Sequence, residues 1–240
     1  ITSKFSVGMD FQYLFGILNT QSDVLNQNII YGSREVNEST VSGFAINTGL
    51  NFRTKFKNKL NFFSSVTYAP EAKLNSINTR NVSLVSALAN GTIVPASVDT
   101  EVNVADSKLI VPSKLVLGAG LGNRKWFLGG DVAFSGSGNQ VNRFENYSNV
   151  SYENGVKVAI GGFFIPKFDS YNNFFQRVTY RGGFKFENTG LVINNTAIKD
   201  KSVTLGFGLP ISGTFSSLNL GVEYGSRGTT RNGLIKEDYF

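Results

Sequence analysis

Apolar and polar residues alternate with a period of two along most of the chain. Phe5, Val7, Met9, Phe11, Tyr13 and Phe15 alternate with Lys4, Ser6, Gly8, Asp10 and Gln12. Phe44, Ile46, Leu50 and Phe52 alternate with Ala45, Asn47, Asn51 and Arg53, and Leu60, Phe62 and Val66 with Asn61 and Ser65. The same pattern returns at Leu115–Leu121, Trp126–Phe134, Val156–Phe164, Arg177–Glu187, Val203–Leu209 and Leu218–Tyr224. A strand sends successive side chains to opposite faces, so each segment reads as a strand with one greasy and one polar face. About nine strands are predicted, with no helix longer than two turns; the best helical candidate is Ser83–Ala89.

The connections decide which face points inward. Tight turns are expected at Lys55–Lys59 and Gly122–Lys125, and short or medium ones at Pro210–Ser217 and Ile165–Phe175. Between them stand long polar segments, Asn19–Val41, Pro70–Pro112, Ser135–Tyr152 and Asn188–Lys201. Outer-membrane barrels have short turns at one rim and long loops at the other, whereas a soluble sandwich has no reason to segregate them. Strands of about 10 residues suit a tilted membrane crossing. Aromatic residues near strand ends, among them Tyr13, Phe52, Trp126, Phe164 and Tyr224, fit interfacial girdles and equally fit ordinary sheet preference. The expected fold is all-β, an antiparallel transmembrane β-barrel forming a single domain over 1–240; a soluble β-sandwich or barrel is the alternative. In the barrel Val178, Tyr180, Phe184 and Phe186 would meet lipid, and Arg177, Arg181 and Lys185 the lumen. The ending "LIKEDYF" reads as a loop followed by the start of a returning strand, so the domain is expected to be incomplete at both ends.

Composition narrows the chemistry. The chain has no Cys and no His, which removes thiol nucleophiles, imidazole bases, a Ser-His-Asp triad and nearly all zinc and haem sites. No enzymatic activity, metal or cofactor is expected. The net charge is +6, but the cations are scattered, so a nucleic-acid partner is not expected. The Gly-rich pieces "GAGLGNRK" and "GGDVAFSGSG" do not match a phosphate loop and no helix follows them. The candidate lumen-lining and ligand residues are Asp10, Arg53, Asp131, Lys157, Arg177, Arg181, Lys185 and Glu223. Their main reading is a charge-balanced wet wall. Arg177, Arg181 and Lys185, at i, i+4 and i+8, also form a ladder of cations that can guide an anionic headgroup or carboxylate.

The runs "VPSKLVLGAGLGNRKWFLGGDVAFS" and "VKVAIGGFFIP…FFQRVTYRGGFKFE" resemble strands of the FadL-type outer-membrane transporters, and the C-terminal segment is similar to those of FadL-like barrels of Bacteroidetes. That resemblance implies a barrel of about 14 strands in the outer membrane of a Gram-negative bacterium. It also implies passive uptake of hydrophobic small molecules such as long-chain fatty acids. The loop Val82–Val98, apolar for a loop, would be a ligand-capturing lid or a packed cap. The family includes PorV-type barrels that accompany type IX secretion, so the alternative is a barrel subunit that binds a protein partner in a secretion or surface complex. Expected partners are therefore outer-membrane lipid, a hydrophobic ligand and a possible envelope protein.

Overall fold

A computed structural model describes residues 4–25, 30–56, 59–88, 90–139, 149–211 and 216–240. It contains β1 (Phe5–Val24), β2 (Tyr31–Lys55), β3 (Asn61–Ala69), β4 (Ala72–Ala87), β5 (Ile93–Pro95), β6 (Thr100–Val102), β7 (Ser107–Val111), β8 (Lys114–Gly122), β9 (Trp126–Ser135), β10 (Val150–Tyr152), β11 (Gly155–Phe164), β12 (Thr179–Ile193), β13 (Thr196–Pro210), β14 (Ser217–Gly228) and β15 (Lys236–Tyr239). All belong to one sheet, and every pairing in it is antiparallel. The nine expected strands lie within β1, β2, β3, β8, β9, β11, β12, β13 and β14, neighbours in that order. Among the described residues nothing pairs β1 with β14 or β15, so the sheet has two open edges.

Register follows from the alternation. β1 and β2 hold one register from Phe5↔Phe52 to Val24↔Ser33, which sets Val7 beside Leu50, Phe11 beside Ile46 and Tyr13 beside Phe44. A slip of one residue would set these aromatics against Gly and Asn and turn every side chain to the other face. The ring pairs Phe5–Phe52 and Tyr13–Phe44 lie 4.7 and 5.0 Å apart, centroid to centroid. Such pairs contribute about 0.5–1.5 kcal/mol each beyond simple burial.

Three expected long loops prove to be largely strand. Asn19–Val41 continues β1 and β2 into a tall hairpin, Pro70–Pro112 holds β4 to β7, and Asn188–Lys201 is the tip of the β12–β13 hairpin. That tip turns on two residues, Asn194 and Asn195, at φ 50° and 56°, the left-handed pair of a type I′ turn, which Asn tolerates. The helix expected at Ser83–Ala89 is replaced by strand over Ser83–Ala87, Ala89 lying outside the described residues: Ser86 and Ser83 pair with Tyr31 and Arg34 of β2, and Ala87 with Ile93 of β5. The same pairing turns the expected loop Val82–Val98 into a hairpin, with Val85 buried and Val98 88% exposed. Along Asn19–Asp23, Ser33–Thr40 and Asn75–Asn81 the apolar member of the alternation is nearly absent, so a period-two reading sees mostly polar sequence. The pairing persists because polar side chains satisfy one another. Buried Ser39 and Ser76 donate to Asn78 Oδ1 at 2.7 and 2.9 Å, and Asn78 Nδ2 donates to Ala105 O and Ser107 Oγ at 3.0 and 2.9 Å. Arg80 donates to Asn37 Oδ1 at 3.0 Å and pairs with Glu35 at 3.2 Å.

The distribution of apolar residues is inverted relative to a water-soluble protein. Among the described residues the buried apolar side chains are Val41, Ala72, Leu74, Val85, Ala133, Val178 and Ile198. The large ones line one exposed face instead, with Phe11 71%, Phe44 75%, Leu128 59%, Leu205 61% and Val222 67% exposed. Val178 departs from the expected apolar face. It precedes β12 and is buried, because the turn Phe174–Gln176 folds back before the strand begins.

Candidate functional site

The polar face of the sheet is concave. A hollow of about 720 Å³ touches β2, β3, β8, β9, β11, β12, β13 and β14 in turn. Strands stand about 4.8 Å apart, so eight of them reach one hollow only if the sheet curls toward it.

Strand register lays the hollow's floor in rows. One row runs Asn51, Ser65, Gly118, Asp131, Ala159, Lys185, Ser202, Gly225, Tyr239. The next runs Arg53, Phe63, Gly120, Gly129, Gly161, Gly183, Thr204, Glu223. The run of four glycines leaves room that Phe127, from the following row, occupies. A Cβ on Gly120 would lie 2.4 Å, and one on Gly129 2.9 Å, from that ring. Phe127 stacks on Phe163 at 6.0 Å and meets Phe63 edge-on at 6.3 Å. Three phenylalanines therefore stand on the otherwise polar face. The signal was the pairing of Phe63 with Gly120 and of Phe127 with Gly122, which strand-by-strand reading does not reveal.

The candidate residues divide. Asp131, Lys157, Lys185 and Glu223 line the hollow. Lys185 is the hub: its Nζ lies 3.2 Å from Glu223 and 3.8 Å from Asp200. The Tyr239 hydroxyl donates to Asp200 Oδ1 at 2.7 Å and accepts from Lys185 at 3.5 Å. Gly225 makes space for that ring, since a Cβ there would lie 2.3 Å from Tyr239 Cζ. The network thus ties β12, β13, β14 and β15 together. Asp200 escaped the sequence reading because it falls in the expected loop Asn188–Lys201. Tyr239 did because it lies in the short returning strand.

The other candidates lie elsewhere. Asp10 accepts from Gln12 and Asn47 on the polar face, outside the hollow. Arg53 lines a second hollow of about 630 Å³ at the short-turn end. Arg181 accompanies Gly206 and Asn219, to whose Oδ1 it donates at 3.0 Å. Arg177 is not on the strand at all. It closes the turn before β12, its N–H donating to Phe174 O at 3.0 Å and its guanidinium 5.7 Å from the Phe174 ring centre. The three-member cation ladder is therefore corrected to Arg181 and Lys185.

At the tall-hairpin end, Arg34 grips Asp23 through two hydrogen bonds of 2.7 and 2.9 Å. The hydrogen bond from Arg34 is the largest influence on Asp23 and holds its carboxyl below the ordinary value of 3.8. Among the described residues no group of three or more acidic side chains is placed to hold a metal.

The BamG family model matches residues 1–240, the whole chain. The chain belongs to the BamG family. The resemblance to FadL-type transporters is thereby corrected, because the full-length match is to a different family. Its motifs, an alternating strand, a tight turn and a second alternating strand, describe how any sheet of this type is built. Uptake of fatty acids and other hydrophobic molecules rested on that resemblance and falls with it. Comparison with curated proteins finds no match.

Proposed function

We propose that this BamG-family chain forms a wall of an outer-membrane β-barrel and serves as a protein subunit of a barrel-assembly complex in a Gram-negative envelope. The observation that carries the membrane part is the exposed apolar face. Side chains such as Phe11, Phe44 and Val222 stay more than half exposed, whereas water-soluble monomers rarely expose contiguous apolar patches beyond a few hundred Å². Hydrocarbon removes that cost, and antiparallel strands satisfy their own backbone groups there. The family supports the assembly part. The hollow supports it too: its floor is crossed by an ion network and partly filled by Phe63 and Phe127, an arrangement suited to stiffening a wall.

In this reading Asp131, Lys157, Lys185 and Glu223 are lumen-facing structural residues. The strands beyond the apolar face, with their polar ladder on Asn78, form a raised crown at one rim. An affinity tag on the chain in its native membrane tests the reading. After mild crosslinking and detergent extraction, barrel-assembly components should co-purify, and depletion should lower the yield of newly inserted outer-membrane proteins. Recovery of the chain alone, with normal insertion on depletion, would refute it.

A further inference from the structure

The cations are unevenly placed. At the short-turn end, Arg53 and Lys55 flank a hollow of about 630 Å³ with Lys4, Asn61 and Phe63. A neighbouring hollow of about 660 Å³ is lined by Lys55, Lys59, Arg124, Lys125 and Phe168, and the two share Lys55 and Asn61. Among the described residues no carboxylate lines either one. Among the described residues none lies within salt-bridge distance of Arg53, Lys55, Lys59, Arg124 or Lys125. The turn that carries Arg124 and Lys125 is fixed: Asn123 Oδ1 accepts from the Lys125 and Trp126 N–H groups at 2.7 and 3.1 Å. The Arg53 backbone is held as well, its main-chain N–H donating to Lys4 O at 2.8 Å. Arg53, Lys55, Lys59, Arg124 and Lys125, like charges held together with no carboxylate in salt-bridge reach among the described residues, store repulsion that an anion relieves.

We propose that this end is a docking surface for an acidic, extended polypeptide segment of a partner protein. Strand position turns three of these cations away from surrounding lipid. Arg53 and Lys55 continue the series of Asn51, and Lys125 that of Asp131, on the polar face, opposite the apolar one. Size favours a polypeptide over a small anion. From Lys4 beside β1 to Lys125 beside β9 there are four strand spacings, roughly 19 Å, the reach of about six extended residues. Phe63 and Phe168 add apolar contact for side chains set between the acidic ones. Phe63 also lines the main hollow, so the groove opens into the concave face. The identity of the partner rests on the assembly reading; the chemistry of the surface does not.

The test uses the full chain in neutral nanodiscs and a fluorescent peptide alternating Glu and Leu, with its Gln counterpart as control, read by anisotropy. The Glu peptide should bind and the Gln peptide should not. Affinity should fall about tenfold when salt rises from roughly 50 to 300 mM. It should fall by a similar factor in Arg53→Glu/Lys55→Glu and in Arg124→Glu/Lys125→Glu. The neutral pair Arg53→Gln/Lys55→Gln guards against misfolding of the reversed one and should weaken binding less. Lys73→Glu/Lys108→Glu, beyond the hollow on β4 and β7, should bind as wild type. Equal binding of the Gln peptide, or unchanged affinity in both rim variants, would overturn the proposal. So would displacement of the Glu peptide by phosphatidylglycerol added to the nanodisc, which would assign the surface to lipid. Co-purification that survives both rim variants would separate this surface from the assembly role and leave that role standing.

Discussion

Replacing Gly225 by Ala should release β15 while leaving the rest of the sheet folded. The Tyr239 ring lies across Gly225, and a Cβ there would come within 2.3, 2.4 and 2.7 Å of Cζ, Oη and Cε2. Contacts that short do not persist, so the ring must swing away. Doing so breaks its hydrogen bond to Asp200, 2.7 Å long and charge-assisted. A bond of that kind contributes about 1.5–3 kcal/mol. With β15 held otherwise by four backbone pairs, a loss of about 2 kcal/mol raises local opening roughly 30-fold. Hydrogen exchange at Glu237 and Tyr239 reads this directly, with Thr204 in β13 as an internal reference. Tyr239→Phe should produce a smaller effect, because it removes the hydrogen bond without the clash. In a Tyr239→Ala background Gly225→Ala should cost almost nothing further. Unchanged exchange at β15, or equal costs of Gly225→Ala in both backgrounds, would refute the reasoning.

Three other outcomes follow from different parts of the molecule. Val222→Arg, on the exposed apolar face of β14, should destabilise the bilayer-inserted protein by about 2–4 kcal/mol if the site lies near mid-bilayer, whereas Thr204→Arg on the polar face should cost far less; urea titration in vesicles distinguishes them. Asn194→Val forces a β-branched residue to φ near 50° and should destabilise the β12–β13 tip by about 1–2 kcal/mol, seen as faster exchange at Ile193 and Thr196. Asp23 has its folded pKa lowered by Arg34, so its contribution is present above the unfolded value and is lost as pH falls through the folded one. The β1–β2 tip should therefore hold its proteolytic resistance from neutral pH down to about 4 and weaken below that, while Asp23→Asn should lack this step.

The parts of the fold that were legible are those where one face is apolar. Phe5 to Phe15, Trp126 to Phe134 and Val203 to Leu209 announce their strands because a greasy side chain returns at every second position. The upper half of β2 and its partner β4 were not legible, because Asn37, Ser39 and Asn78 are buried polar residues satisfied across the strands, Ser39 by Asn78 and Asn37 by Arg80, a long-range fact invisible in the local pattern. The candidate site was half legible for a related reason. Lys185 and Glu223 lie on readable strands. Asp200 lies where the alternation turns polar, and Tyr239 in a strand of four residues. Arg177 was misplaced because the alternation continues through the turn before β12 while the backbone does not. The family was not legible from strand motifs, since alternation and tight turns recur in any sheet with one apolar face.

The central claim is that the apolar face meets hydrocarbon. The single tryptophan, Trp126, offers a test without any substitution. It starts β9 on that face, opposite Phe164 of β11, at the short-turn end where aromatic residues sit at the membrane boundary. In vesicles of phosphatidylcholine brominated near the headgroup end of the acyl chains, its fluorescence should be strongly quenched. Bromine deep in the chains should quench it less, and aqueous iodide weakly. Emission untouched by either brominated lipid and readily quenched by iodide would place the apolar face away from the bilayer and contradict the account.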